Sequence, residues 1–168
     1  QAFSQRRLYQ VKALPEVDQV MPINIFPAVW RNPWNNGRRS INTVGFDPAH
    51  PIFNNPEFDD LRPLMKARDS VIFDSASRPE FGPVSEYLKE NSELNTEINN
   101  RAISVVGLYH MGTSFGLDGS IFTSTDNWLR LFPDRSREDI QLGLITLKEG
   151  ANAAKEGEPT PLPFIISK

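Results

Sequence analysis

Apolar residues recur along this chain at strand spacing more often than at helix spacing, and turn residues separate the runs. The stretches VMPINIFPAVW and RRSINTVGF flank NPWNNG, and Asn36-Gly37 suits the positive φ angles of a tight hairpin turn. Two antiparallel strands are expected there. Pro22 and Pro27 cannot donate a ladder hydrogen bond, which places the first of these strands at an edge or interrupts it. A second hairpin is expected in NTEINNRAISVVGLY, with Asn99-Asn100 between two strand-like runs. DSVIFDSAS supplies a brief apolar strand at 70–73, and SIFTS at 120–124 has strand composition. IQLGLITL, 140–147, is apolar on both alternations, so it is expected to be buried on both faces and central to the sheet.

Helical spacing is confined to short segments. FSQRRLYQVKAL, 3–14, sets Leu8, Val11 and Leu14 at helical intervals behind a capping Ser4, with Pro15 closing the run. Pro83 opens the helix PVSEYLKEN at a position where its missing N–H costs little. Thr125 or Asp126 is expected to cap DNWLRLF, which puts Trp128, Leu129 and Phe132 on one side before Pro133. DPAHPIFNNPEFDDLRP, 47–63, reads as irregular connection with one short helical turn, and GANAAKEGEPTPLP as a small-residue helix followed by a proline-rich extended stretch. The expected class is α+β, a mixed, mainly antiparallel sheet with short helices.

Composition narrows the partners more than it narrows the fold. The 168 residues, 39% of them apolar, are enough for one compact domain with a modest core. Eighteen basic residues against 21 acidic ones give a net charge of −3, which argues against nucleic acid as a partner. The absence of cysteine removes disulfides, thiolate catalysis and cysteine metal sites. ISVVGLY at 103–109 is the longest apolar stretch, well short of the roughly 20 residues that cross a bilayer. The chain opens at Gln1 without an initiator methionine, so it is expected to be a processed product or part of something longer.

The densest candidate chemistry is the glycine-rich stretch GLYHMGTSFGLDGSIFTS, 107–124. A phosphate cradle needs a basic residue after the glycines and a helix N-terminus aimed at the anion. GTSFGLDG offers Asp118 instead, with Phe115 in its middle, and a strand follows. The glycines are therefore expected to permit tight bends. His50 and His110 lie in different segments and form no metal signature, so neither a metal nor a cofactor is expected. Ser75, Ser77, Ser114 and Ser124 lie near glycines but in no nucleophile elbow, and a histidine could serve one of them only through proximity that the sequence does not reveal. Asp59-Asp60 and Glu138-Asp139 are sequence neighbours and read as solvated charge.

Two features point to partners. Trp30, Trp34, Arg38 and Arg39 crowd one predicted hairpin, and Trp with Arg are enriched at interface hot spots. The alternative is that Trp30 packs into the core while the arginines keep an edge strand soluble. Phe115 and Leu117 are apolar residues at the tip of the glycine-flanked loop, where burial needs a neighbour.

The order RRLYQ, VDQVMPI, AVWRNP, RSINTVGFDP, DSVIFDSASRPEFGP, EINNRAISVVGLYHMGTSFGLDGSIFTSTDNWLRLFPDR and IQLGLITLKEGA resembles the extracytoplasmic domain of DevC-type permease subunits of ABC exporters, within the wider MacB-like periplasmic core family. The likeness covers nearly the whole chain. Its most specific pieces are FDSASRPEFGP at 73–83, and the GTSFGLDG loop with FTSTDNWLRLFPDR behind it. The resemblance implies a non-catalytic periplasmic domain lying between the first and second membrane helices of an inner-membrane permease. Its partners would be a DevB-like membrane-fusion adaptor, a DevA-like ATPase subunit on a separate chain, and a TolC-like channel reached through the adaptor. The full-length permease would be a homodimer, and the cargo a glycolipid or other amphiphile. The resemblance also implies two lobes, a porter-like βαβ lobe from 1–46 with 125–168 and an inserted β-rich lobe from 47–124. The chain departs from the family pattern in having no strand before the expected helix at 3–14 and a proline-rich GEPTPLPFIISK at its end.

Overall fold

A computed structural model describes residues 3–4, 10–53, 55–111, 118–137, 139–148 and 164–167. The expected hairpin from Asn36-Gly37 forms: β2 (Val17–Arg31) pairs antiparallel with β3 (Arg38–Phe46), and Asn36 takes φ 58°. The second hairpin joins β5 (Leu94–Ile98) to β6 (Arg101–Tyr109), with Asn99 at φ 50° and Asn100 at φ 63°. Asparagine tolerates the left-handed region better than other residues that carry a Cβ, which is why these two corners turn there.

β3 continues in parallel with β7 (Ser120–Ser124), β7 pairs antiparallel with β4 (Ser70–Asp74), and β4 pairs in parallel with β6. Trp30 then pairs with Ile98 and Arg31 with Glu97, so β2, β3, β7, β4, β6 and β5 close into a ring. The first half of β2 leaves this ring to pair with β9 (Leu142–Leu147), and β9 pairs in parallel with β10 (Phe164–Ser167). The result is a mixed, mainly antiparallel α+β architecture with short helices.

β2 is neither an edge strand nor an interrupted one, and its prolines survive for a geometric reason. Between the β9 and β5 pairings, the N–H of Ile25 donates to Gln141 Oε1 at 3.1 Å and that of Val29 to Asn99 Oδ1 at 2.8 Å, both away from β3. By strand alternation the nitrogen of Pro27 faces the same way, so no bond to β3 is lost. Pro22 has the opposite parity and faces the side where β3 has already ended.

Three other expectations are corrected. Phe3–Ser4 is a strand, β1, paired with β8 (Asp139–Ile140), while only residues 10–12 are helical among those described of 3–14; of the spaced apolar residues Val11 is half-buried, Leu14 is exposed and Leu8 lies outside the described residues. The run 140–147 is broken at Gln141, which caps Ile25, and its continuation β9 lies next to the terminal strand β10, with both faces buried only over Gly143–Ile145. The helix after β7, α3 (Thr125–Leu131; α1 and α2 precede it, below), is capped by Ser124, whose Oγ accepts from the N–H of Asn127 at 3.2 Å. Ser124 still has the extended backbone that a cap requires, whereas Thr125 is already helical. The small-residue helix expected after Gly150 lies outside the described residues.

Two apolar clusters hold the sheet. One contains Trp30, Ile41, Phe73, Phe81, Ile98, Val105, Ile121 and Trp128, and α3 is pinned into it by Trp128 Nε1, which donates to the carbonyl of Thr43 at 3.2 Å. The other gathers Phe46, Phe58, Met65, Ile72, Tyr109 and Phe122 beneath α1 (Pro56–Leu61) and the 3₁₀ turn Arg62–Lys66. The hydroxyl of Thr43, a wholly buried residue of β3, has no partner among the described residues. Thr43→Val keeps the shape and removes an unpaired hydroxyl, so we expect unchanged or slightly higher stability in a denaturant titration; a loss above about 1 kcal/mol would contradict this reading.

Asp69, at φ 58°, accepts from Arg101 Nε at 2.8 Å, and Arg68 and Arg130 lie beside it. The hydrogen bond from Arg101 holds its carboxyl below the ordinary value of 3.8, against the opposing effect of burial. Because the folded value is the depressed one, this stabilisation is complete above pH 3.8 and is lost as pH falls through the lower folded value. Asp69→Asn should therefore flatten the acid limb of a melting-temperature profile below about pH 4; an unaltered limb would show that other carboxylates govern it.

Candidate functional site

The segment that follows β4 is the structural hub of the surface. Asp74 Oδ1 accepts the N–H of Ala76 at 2.9 Å and that of Met111 at 3.1 Å, which ties the start of the glycine-rich loop to β4. The far end of the loop is tied to the same segment: the N–H of Arg78 donates to the carbonyl of Asp118 at 2.8 Å, and the Arg78 guanidinium pairs with the Asp118 carboxylate at 2.9 Å. The N–H of Ser120 donates to Ser77 Oγ at 3.3 Å. Asp118 is thus engaged by an arginine from a neighbouring segment, and Gly119 serves close packing: a Cβ there would come within 2.5 Å of the Phe81 ring. Gly119 does not take a positive φ, so the expectation of a bend-permitting glycine is corrected at this position. Residues 112–117, with Ser114, Phe115 and Leu117, lie outside the described residues.

On its other side the same segment meets the first hairpin. Trp30 Nε1 donates to the carbonyl of Phe81 at 3.0 Å, and Asn32 Nδ2 to that of Glu80 at 3.1 Å. Gly82, at φ 103°, leaves room for the Trp34 ring, which a Cβ would strike. Trp34 is 42% exposed and packs edge-on against Tyr87 of α2 (Val84–Glu90) with ring centroids 5.9 Å apart. Arg38 donates to Asn100 Oδ1 at 3.0 Å, and Arg39 stands 3.9 Å from Glu80.

The four hairpin residues therefore divide. Trp34 and Arg39 lie beside the 78–83 segment, with Tyr87, which the sequence did not single out, against Trp34, whereas Arg38 reaches the second hairpin at Asn100. Trp30 is fully buried, because its position in β2 points into the closed ring against Phe73 and Phe81.

The remaining candidates scatter, with one exception. His50 pairs with Asp47 at 3.3 Å on an exposed turn, and Asp59 holds Arg62 at 2.8 Å. Ser124 is a helix cap. Ser75 Oγ, however, lies 3.2 Å from His110 Nδ1, because the parallel pairing of Asp74 with Tyr109 brings the ends of β4 and β6 together. Among the described residues no carboxylate meets the other ring nitrogen, and none of their His, Asp and Glu side chains gather in a group of three that could hold a metal. No helix of the described residues is long and apolar enough to cross a membrane.

No family model matches the sequence, and no curated protein matches it. Solved structures do match the fold. The crystal structure of the periplasmic region of MacB from Actinobacillus actinomycetemcomitans is similar with a TM-score of 0.55 and 13% identity, over 92% of this chain and 69% of that one. The extracellular domain of the ABC-type transporter YknZ from Gram-positive bacteria is similar with a TM-score of 0.51 and 12% identity, over 83% of this chain and 70% of that one. The chain shares the fold of these extracytoplasmic transporter domains.

Proposed function

We propose that this chain is the extracytoplasmic, periplasmic domain of a DevC-type ABC exporter permease, and that it transmits ATP-driven movement of membrane helices to a membrane-fusion adaptor. The observation that carries this reading is that the 73–83 segment holds both flanks of the glycine-rich loop, through Met111, Asp118 and Ser120, beside the exposed Trp34 and Arg39, on a fold shared with MacB and YknZ domains. ATP hydrolysis then belongs to a separate DevA-like subunit, and the adaptor, DevB-like, leads to a TolC-like channel for a glycolipid or other amphiphile. The full-length permease would work as a homodimer, with this domain carrying no catalysis, cofactor or metal. Packed interiors have low compressibility and transmit displacement, which the closed ring with two clusters supplies.

Replacing Phe115 and Leu117 together by serine should weaken capture of the adaptor in a pull-down while leaving the melting temperature unchanged, and Trp34→Ala should weaken it in a chain that still melts cooperatively. Unaltered capture with a lower melting temperature would assign these side chains to packing instead.

The Ser75–His110 contact favours a second reading, a free-standing hydrolase. Labelling of the purified chain at Ser75 by a fluorophosphonate, lost in His110→Ala, would support it. A lipid- or glycan-binding module is the third reading. Quenching of tryptophan emission by such ligands would have to come from Trp34, since Trp30 is shielded from solvent.

A further inference from the structure

The turn at 32–37, exposed from Trp34 onward, contains the chain's one Asn-Gly step, Asn36-Gly37. In such a step the glycine nitrogen, unhindered by a side chain, can attack the asparagine amide carbon. The nitrogen loses its proton, ammonia departs carrying one, a five-membered imide forms, and water opens the imide to aspartate or isoaspartate. Here each reacting group is held by something else. The N–H of Gly37 donates to Asn35 Oδ1 at 2.8 Å. Asn36 Oδ1 accepts a fork from Arg31, Nε at 3.2 Å and Nη2 at 2.9 Å. Arg31 is itself anchored, since its Nη1 pairs with Glu97 Oε1 at 2.9 Å and its carbonyl accepts from the hydroxyl of Thr96.

We propose that Asn36 is a latent site of spontaneous deamidation, and that the Arg31 fork with the Asn35 acceptor keeps it closed. Swinging the amide carbon towards Gly37 requires both arms of the fork to let go, and the attacking nitrogen must also give up its bond to Asn35. Opening the site has a structural consequence. A carboxylate at position 36 would draw Arg31 into a charge-assisted pair in competition with Glu97, the partner that ties β5 to β2 at the ring closure. Isoaspartate would also lengthen the main chain inside the turn, which is closed by the Asn32 N–H donating to the Gly37 carbonyl at 2.8 Å. Either product would disturb the hairpin that carries Trp34.

The test is incubation of the folded chain at mildly alkaline pH, with Asn36 conversion read by peptide mass and isoaspartyl content beside a synthetic peptide of residues 31–40. The folded chain should convert several-fold more slowly than the peptide. Arg31→Lys, which cannot fork, and Asn35→Ala should each accelerate conversion several-fold in chains that still melt cooperatively. Should Arg31→Lys fail to fold, Asn35→Ala decides alone. Conversion of the unmodified chain at the peptide's rate, or no acceleration in a folded variant, would overturn the proposal.

Discussion

Replacing Trp30 by alanine is expected to lower the unfolding free energy by about 3–5 kcal/mol, the usual cost of removing a buried tryptophan. The side chain is fully buried, sits 5.5 Å from the Phe73 ring and 6.5 Å from that of Phe81, and donates to the Phe81 carbonyl. Truncation therefore leaves a cavity in the ring and a carbonyl without its partner. Trp30→Phe separates the two contributions, because it keeps most of the apolar volume and loses the N–H, for about 1–3 kcal/mol. Equilibrium denaturation at neutral pH measures both. A loss below about 1 kcal/mol for Trp30→Ala would mean that Trp30 is not a core residue. Under the proposed function, the same substitution frees the 78–83 segment, so capture of an adaptor should fall together with stability, whereas Trp34→Ala should weaken capture with a smaller loss of stability.

Asn127→Ala is expected to cost about 2–4 kcal/mol, since it strands more than one polar group at once. Its Nδ2 donates to the carbonyls of Met65, Ala67 and Ser70 at 3.1, 2.8 and 3.3 Å, and its Oδ1 accepts from the Asp69 N–H and from Arg130, both at 2.9 Å. One buried amide thus ties α3 to the chain that enters β4 and supports the left-handed corner at Asp69. Asn127→Asp turns the donor into a charge facing three carbonyls and should destabilise more than alanine at neutral pH, recovering partly in acid. Equal stability of Asn127→Ala and the parent would show that these bonds are replaced by water.

What could be read from the sequence was local. Asn36, Asn99 and Asn100 marked their hairpins because a positive φ selects among residues at the position itself. Pro83 marked the start of α2 for a similar reason. The ring was not legible. Its closure joins Trp30 to Ile98 and its parallel pairs join β3 to β7 and β4 to β6, registers set by packing between distant segments. For that reason the sequence left Trp30 undecided between surface and core, and it could not bring Ser75 to His110. Pro22 and Pro27 argued for an edge strand, yet β2 exchanges partners along its length and offers each proline a side without a ladder. Tyr87 could have been noticed as an exposed aromatic on a short helix, but only the fold sets it against Trp34. The apolar run 140–147 looked continuous; Gln141 was the polar residue that marked its break.

If the chain is the permease domain proposed, the most direct test is cargo export by that permease with its ATPase and adaptor, comparing the unmodified protein with one carrying Trp34→Ala, Phe115→Ser and Leu117→Ser. The account predicts that export stops while ATP is still hydrolysed and the domain stays folded. Export at the parent rate, with these three side chains replaced and the fold intact, would contradict it.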